Sequence, residues 1–271
     1  MPELPEVETI RRGLEPHLVG RRVRRLLVRE PRLRWPVAPE LERRLRGARI
    51  LQLSRRAKYL LFHTDRGTLI VHLGMSGSLR IIRERAAPGP HDHVELRLDD
   101  DGLLRYTDPR RFGAWLWTEA PAEKHPLLAR LGPEPLGNDF SGDRLFQAAR
   151  GRTRSIKSFL MDSHIVAGIG NIYANEALFM AAIHPARAAG RIGLARYRRL
   201  AGAVHEVLQQ AIACGGTTLR DFVDGDGRPG YFRQSLQVYG RGGQSCPRCA
   251  AAIRETRSGQ RSTFYCPRCQ H

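Results

Sequence analysis

Four of the five cysteines of this 271-residue chain lie near its C-terminal end, as Cys246-Pro-Arg-Cys249 and Cys266-Pro-Arg-Cys269 with sixteen residues between the pairs. Two knuckles of this form at this distance suit one tetrahedral Zn(II), two thiolates coming from each. Four protein ligands close the coordination shell, so the metal's role is structural: it holds rigid a segment too short to build its own core. Two disulfides or a redox pair are the alternatives, and the lack of an export signal disfavours disulfides. A second pattern, Gly168-Ile169-Gly170-Asn171, stands ahead of an apolar stretch. Glycines admit a phosphate close to the backbone, and a helix start favours an anion. Asn171 then serves as cap or direct ligand, and Arg152, Arg154 and Lys157 just upstream complete a phosphate clamp. A tight turn with an N-cap accounts for the same residues. A third signal is scarcity: Lys58, Lys124 and Lys157 are the only lysines. Arginine stays protonated and grips phosphate with a planar fork, whereas lysine can lose its proton and act as base or nucleophile. Lys124, in a proline-rich stretch, reads as surface.

Charge supports a polyanionic partner. Lys and Arg number 45 against 27 Asp and Glu, a formal +18 with a sequence pI of about 10.9. Nucleic acid is favoured over a membrane surface. A hydrophobic share of 41% fits a folded chain and argues against disorder. No run of eighteen apolar residues exists, which excludes a spanning helix. The segment Met1 to Arg12 lacks an apolar signal core, so the protein is expected not to be exported.

The elements that must position these residues follow from periodicity. Leu4, Val7, Ile10 and Leu14 share one helical face, with Pro5 tolerable in the first turn. From about residue 23 to 117 the texture is that of strands. Short alternating runs at 59–62, 68–73, 79–82, 94–98 and 112–117, with Leu51 and Leu53 before them, are punctuated by Gly67, Gly74 and Gly77. This predicts an antiparallel sandwich or barrel. Residues 121–142, rich in Pro, read as a linker. Helices are expected near 143–150, 155–161, from Ile172 to Ala182, and at 193–213. The glycine-rich stretch 217–233 reads as a loop, and a β-hairpin with its tip near Gly259 joins the two cysteine knuckles. Cys214, outside the set of four, is taken as structural.

Several stretches carry a specific resemblance. They are Pro2-Glu3-Leu4-Pro5-Glu6-Val7-Glu8, Leu73-Gly74-Met75-Ser76-Gly77, Asp108-Pro109-Arg110-Arg111-Phe112-Gly113, Gly170-Asn171-Ile172-Tyr173 and the four terminal cysteines. Taken in order over essentially the whole length, they make the chain closely resemble the formamidopyrimidine-DNA glycosylases. The resemblance implies an α+β multidomain fold. An N-terminal antiparallel β-sandwich with a leading helix would occupy 1–120, with a linker at 121–142. A helix–two-turn–helix DNA-binding domain would occupy 143–236, with a lesion-capping loop at 217–233, and a zinc-finger hairpin 237–271. It also implies excision of oxidised purines, 8-oxoguanine and formamidopyrimidines, from duplex DNA, followed by strand cleavage at the abasic site.

By the same resemblance, removal of Met1 exposes the secondary amine of Pro2 as nucleophile, and a Schiff base splits one hard step into easier ones. Glu3 is the implied acid/base, Glu6 a weaker candidate. Lys58 is the implied proton donor in β-elimination, and Arg261, at the hairpin tip, a phosphate ligand in δ-elimination. A base inside a duplex must be flipped out. Met75, Arg110 and Phe112 match the family's intercalating residues: two wedges, and an Arg that contacts the orphaned partner base. His91, Arg110 and Arg152 match DNA-contacting positions, with Lys157 and Asn171 on phosphate. His72 and His93 are expected to support local structure only. One structural zinc on Cys246, Cys249, Cys266 and Cys269, a monomeric state and a cytoplasmic place at the bacterial nucleoid complete the expectation. The related endonuclease VIII type, which prefers oxidised pyrimidines, carries Gly where this chain has Leu4. A non-catalytic zinc DNA-binding protein would not need Pro2, Glu3, Lys58 and Arg261.

Overall fold

A computed structural model describes residues 2–82, 87–216 and 235–271; the expected capping loop at 217–233 lies outside them. The chain divides into two compact units. One holds residues up to Ala129 with 214–216, the other 130–213 with 235–271.

The first unit opens with helix α1 (Leu4–Leu18). Leu4, Val7, Ile10, Leu14 and Leu18 are fully buried on one face, as the spacing predicts. Strand β1 (Val23–Val28) and the short helix α2 (Leu41–Leu45) follow, then β2 (Ile50–Arg56), β3 (Tyr59–Thr64), β4 (Gly67–His72), β5 (Ser78–Ile82), β6 (Asp92–Leu98), β7 (Leu103–Thr107) and β8 (Ala114–Thr118). They form two four-stranded sheets, ordered β1-β6-β7-β5 and β2-β3-β4-β8, with every pairing antiparallel. Both sheets bury one face in a single core. Leu26, Val94, Leu96, Leu104 and Tyr106 come from the first sheet, Leu53, Phe62, Leu69, Val71 and Trp115 from the second, and the apolar face of α1 packs among them. That arrangement is the expected sandwich with a leading helix. The 121–142 stretch is not bare coil. It carries a 3-10 turn at Ala122–Lys124 and helix α3 (Pro126–Ala129), and the unit boundary falls just after α3.

The second unit contains α4 (Gly142–Ala149), α5 (Ile156–Leu160), α6 (Asn171–Met180), α7 (Leu194–Ala213) and the hairpin strands β9 (Arg254–Ser258) and β10 (Arg261–Tyr265). Ser141 and Ser155 cap α4 and α5 through their hydroxyls, each satisfying a helix-end N–H. Helix α6 is buried along nearly its whole length and α7 along its apolar face. A smaller core of Phe179, Val238, Ile253, Phe264, Cys246 and Cys266 lies under the hairpin. Among the described residues no helix is long and apolar enough to cross a membrane.

Candidate active site and nucleic-acid interface

The implied nucleophile stands where a helix begins. Pro2 is buried, and Glu3, 3% exposed, is the N-cap of α1 with extended backbone (φ −102°, ψ −172°). Glu3 N–H donates to Glu6 Oε2 at 2.8 Å, so the second buried carboxylate fixes the chain just beyond Pro2.

Lys58 occupies a two-residue hairpin turn with Ala57, because Arg56 pairs with Tyr59 across β2 and β3. Ala57 sits at φ 53°, a left-handed conformation that disfavours any side chain by about 1–2 kcal/mol. Arg55 holds it there. Arg55 Nη1 donates to the Ala57 carbonyl at 2.9 Å, while Nε lies 3.3 Å from Glu8 Oε2. Burial tends to raise the Glu8 carboxyl, but hydrogen bonds from Arg11 and Arg12 and the charges of Arg11 and Arg55 bring it below the usual range. The Lys58 turn is thereby tied to the helix that carries Pro2 and Glu3. His72 packs against Tyr59 with the rings tilted at 48° and their centroids 4.7 Å apart. Burial first, then the Lys58 and Arg34 cations, push its imidazole down to about 4. The neutral Nδ1 accepts the Gly74 N–H at 3.0 Å, which is the supporting role expected for it.

The implied wedge residues are exposed where apolar side chains rarely are. Met75 is 42% and Phe112 40% exposed, two of the four exposed large hydrophobics among the described residues. The guanidinium of Arg110 lies over the Phe112 ring, 4.7 Å from its centroid. Gly74, at φ +65°, brings the Met75 loop against the Phe112–Gly113 backbone: a Cβ there would sit 2.6 Å from Gly113 N. His91 is exposed in the neighbouring loop. Buried His93 donates from Nε2 to the Asp108 carbonyl at 2.8 Å.

In the second unit the four cysteine sulfurs lie within 4.8 Å of one another. Cys246 and Cys269 are 3.9 Å apart, Cys249 and Cys266 3.5 Å. Tetrahedral Zn–S bonds of about 2.3 Å place sulfurs about 3.8 Å apart, whereas a disulfide needs about 2.05 Å. The set fits one zinc ion held as four thiolates, with no coordination position left open, and the disulfide alternative falls away. Bound there, the metal clamps the two knuckles and so the hairpin between them.

Arg261 opens β10 opposite Ser258 and is exposed at the hairpin tip. It lines a cavity of about 290 Å³ with Lys157, Ser158, Met161, Gly259 and Gln260. Lys157 differs from the phosphate ligand that the sequence suggests, for it is 2% exposed. Its ammonium donates to the Ser262 carbonyl and the Thr263 hydroxyl, both at 2.7 Å. Asn171 is the first residue of α6, behind an N-cap at Gly170, and its side-chain amide reaches the same Ser262 carbonyl at 3.0 Å. Arg152 is exposed; its Nε donates to the Ala148 carbonyl at 2.6 Å and its guanidinium lies 5.9 Å from the Phe159 ring centroid. Arg154 pairs with Asp162 at 2.8 Å.

Two anchoring residues escape a reading of the sequence. Asn175 Oδ1 accepts the Phe264 N–H at 2.8 Å. Glu176, 3% exposed, accepts the N–H groups of Gln237, Val238 and Tyr239 at 2.8–3.0 Å. Burial raises the Glu176 carboxyl, and the three N–H groups work against that rise. Their signal is an adjacent polar pair inside an otherwise apolar helix.

Comparison with known proteins agrees with this geometry. Residues 1–115 match the family described as the Formamidopyrimidine-DNA glycosylase N-terminal domain, residues 131–223 its H2TH domain, and residues 243–271 the zinc finger found in FPG and IleRS. The formamidopyrimidine-DNA glycosylase of Alkalilimnicola ehrlichii is 63% identical, and that of Methylococcus capsulatus 60%, each over 100% of both chains. Among solved structures, the MutM (Fpg) protein of Thermus thermophilus superposes with a TM-score of 0.89 at 40% identity, covering 99% of this chain and 98% of that one. Lactococcus lactis Fpg, in complex with DNA containing N7-benzyl-Fapy-dG, reaches 0.92 at 37% identity over 100% of both chains. With its fold, its four-cysteine site and its full-length kinship in agreement, the chain belongs to the formamidopyrimidine-DNA glycosylase family.

Proposed function

We propose that this protein excises oxidised purines from duplex DNA and then cuts the strand at the resulting abasic site. The carrying observation is the buried Pro2-Glu3 pair at the start of α1, in a chain whose full-length relatives bear the glycosylase name. Related structures hold DNA containing Fapy-dG or carbocyclic 8-oxo-G. The freed Pro2 amine attacks the sugar C1′, and the bond from C1′ to the base breaks as the base leaves with a proton; the amine then gives up its own proton, and the C1′–O4′ bond opens as O4′ takes up a proton, which leaves an iminium between Pro2 and C1′. Glu3 moves the sugar and leaving-group protons. The iminium acidifies the C2′ hydrogen, and its loss expels the 3′ phosphate. A second elimination expels the 5′ phosphate, with Lys58 as proton donor in the first step and Arg261 neutralising phosphate in the second. Met75 and Phe112 fill the gap left by the flipped base and Arg110 faces its former partner. His91, Arg152 and Asn171 hold phosphates, and Lys157 acts at one remove by fixing the hairpin that carries Arg261. The protein works as a monomer at the nucleoid.

Borohydride trapping tests this reading. Processed protein incubated with a duplex carrying 8-oxoguanine opposite cytosine should form a covalent adduct, located on Pro2 by mass spectrometry. Retained Met1 should abolish the adduct, and Pro2→Gly should reduce it. Wild-type protein with a free Pro2 that neither traps nor cleaves would falsify the proposal. One neighbouring Lactococcus lactis complex contains an oxidised pyrimidine, so a thymine glycol duplex is the second arm, expected to react more slowly.

A further inference from the structure

Asp108 is completely buried between β7 and β8, and its carboxylate meets no cation within ion-pair distance among the described residues. Three neutral donors surround it instead. Oδ1 accepts the Ser76 hydroxyl at 2.7 Å, and Oδ2 accepts the Tyr106 hydroxyl at 2.8 Å and the Gly113 N–H at 2.9 Å. The backbone of the same residue is equally engaged. Its N–H donates to the His91 carbonyl at 3.0 Å, and its carbonyl accepts the Arg111 N–H at 3.1 Å and the His93 ring N–H at 2.8 Å. Ser76 Oγ accepts in turn the Arg110 N–H at 3.3 Å.

Two of the three carboxylate partners adjoin an exposed residue of the interface. Ser76 follows Met75, Gly113 follows Phe112, and Arg110 hangs from Ser76. Burial first, then the Asp108 charge and its hydrogen bond, raise the Tyr106 phenol, which stays a donor. Gly113 is packed so closely that a Cβ would overlap the Tyr106 hydroxyl and lie 2.6 Å from the His72 carbonyl. A buried carboxylate is a poor source of net stability, because desolvation offsets what its bonds return. Its bonds are directional, however, and they fix where three loop segments sit.

We infer that Asp108 is a positioning residue for base extrusion: it holds Met75, Arg110 and Phe112 in register with one another, and leaves the chemistry at the sugar to other groups. The inference rests on the proposed insertion roles of those three residues.

The test is Asp108→Asn in the zinc-loaded full chain, with two single-turnover rates measured side by side. One is excision of 8-oxoguanine from a duplex. The other is strand cleavage at a preformed abasic site, where no base has to be extruded. Asn replaces one acceptor by a donor and removes the charge, so the three loop segments lose their register and excision should fall by about tenfold or more, within what a displacement of about 1 Å can cost. Cleavage at the abasic site should stay within about threefold of wild type, well short of that tenfold step. Ser76→Ala, which keeps the Tyr106 and Gly113 bonds, should shift the ratio the same way by about threefold and serves if Asp108→Asn does not fold. An equal fall in both rates means a general structural role and overturns the inference, as does an unchanged ratio in the folded variants. Wild-type protein that excises nothing overturns the functional reading and this inference with it; active wild type with a variant ratio of one overturns this inference alone.

Discussion

Lys157→Met separates two readings of one residue. The sequence places Lys157 on DNA phosphate; the structure buries its ammonium against the Ser262 carbonyl and the Thr263 hydroxyl, each 2.7 Å away. Hydrogen bonds to a charged group contribute roughly 1.5–3 kcal/mol apiece, so about 3–6 kcal/mol of interaction is removed. Methionine fills most of the same volume and carries no charge, which relieves a desolvation penalty of several kcal/mol. Ser262 O also keeps its bond from Asn171. The net loss should be about 1–2 kcal/mol, a drop of roughly 3–8 °C in melting temperature. DNA affinity should weaken by less than about tenfold as the Arg261 hairpin loosens. The slope of log K against log salt should not change, because a direct phosphate contact contributes about 0.9 to it. Arg261→Gln is the converse control, with a lower slope and an unchanged melting temperature. A tethering role for Lys157 is refuted if Lys157→Met melts like wild type and loses about one unit of salt slope.

Histidine 72 supplies a pH signature. Its folded value of about 4 lies below the ordinary 6.5, so its contribution is complete above pH 6.5 and is lost as pH falls towards 4, about 3 kcal/mol in all. His72→Asn keeps an acceptor for Gly74 N–H and should flatten that part of the denaturation curve; an identical pH dependence would show that another group is responsible. Gly113→Ala should destabilise by about 3 kcal/mol or more through overpacking on the Tyr106 hydroxyl. Adding Tyr106→Phe should recover at least about 1 kcal/mol in urea denaturation, whereas additive losses would place the strain elsewhere.

Legibility follows the locality of the signal. The periodic faces of α1 and α7 and the spacing of the four cysteines depend on neighbours a few residues away, and the structure keeps them. Strand β1 does not stand out individually because a bulge between Val23 and Arg25 breaks its alternation. Strand β7 hides for another reason. Its central Arg105 is 7% exposed, in a position where an apolar residue would be expected, and is matched by Glu95 at 2.7 Å on the paired strand β6. A buried ion pair reads as two surface residues until the register is known. Lys157 reads as a surface cation for the same reason, since its partners lie 105 and 106 residues away. Residue type announces the chemistry of Cys, Pro and Lys, but not which charged residues face outward.

That last distinction orders the whole set of charges. Arg110, Arg152 and Arg261 are exposed, where guanidinium forks can meet phosphate or base edges without a desolvation penalty. Asp108, Lys157 and Glu176 are 0%, 2% and 3% exposed, and each binds hydroxyls or backbone groups of a segment on which part of the site depends. Asp108 gathers the loops of Met75, Arg110 and Phe112; Lys157 holds the strand of Arg261; Glu176 gathers the 237–239 turn that leads to the cysteine knuckles. An apolar residue in any of these places would supply packing without direction. A segment that must meet a distorted duplex in one geometry needs direction, and a buried charge hydrogen-bonded to that segment provides it. Substituting a buried member of this set should therefore change the geometry of engagement, seen as altered ratios between steps. Substituting an exposed member should change the strength of engagement, seen as altered salt dependence.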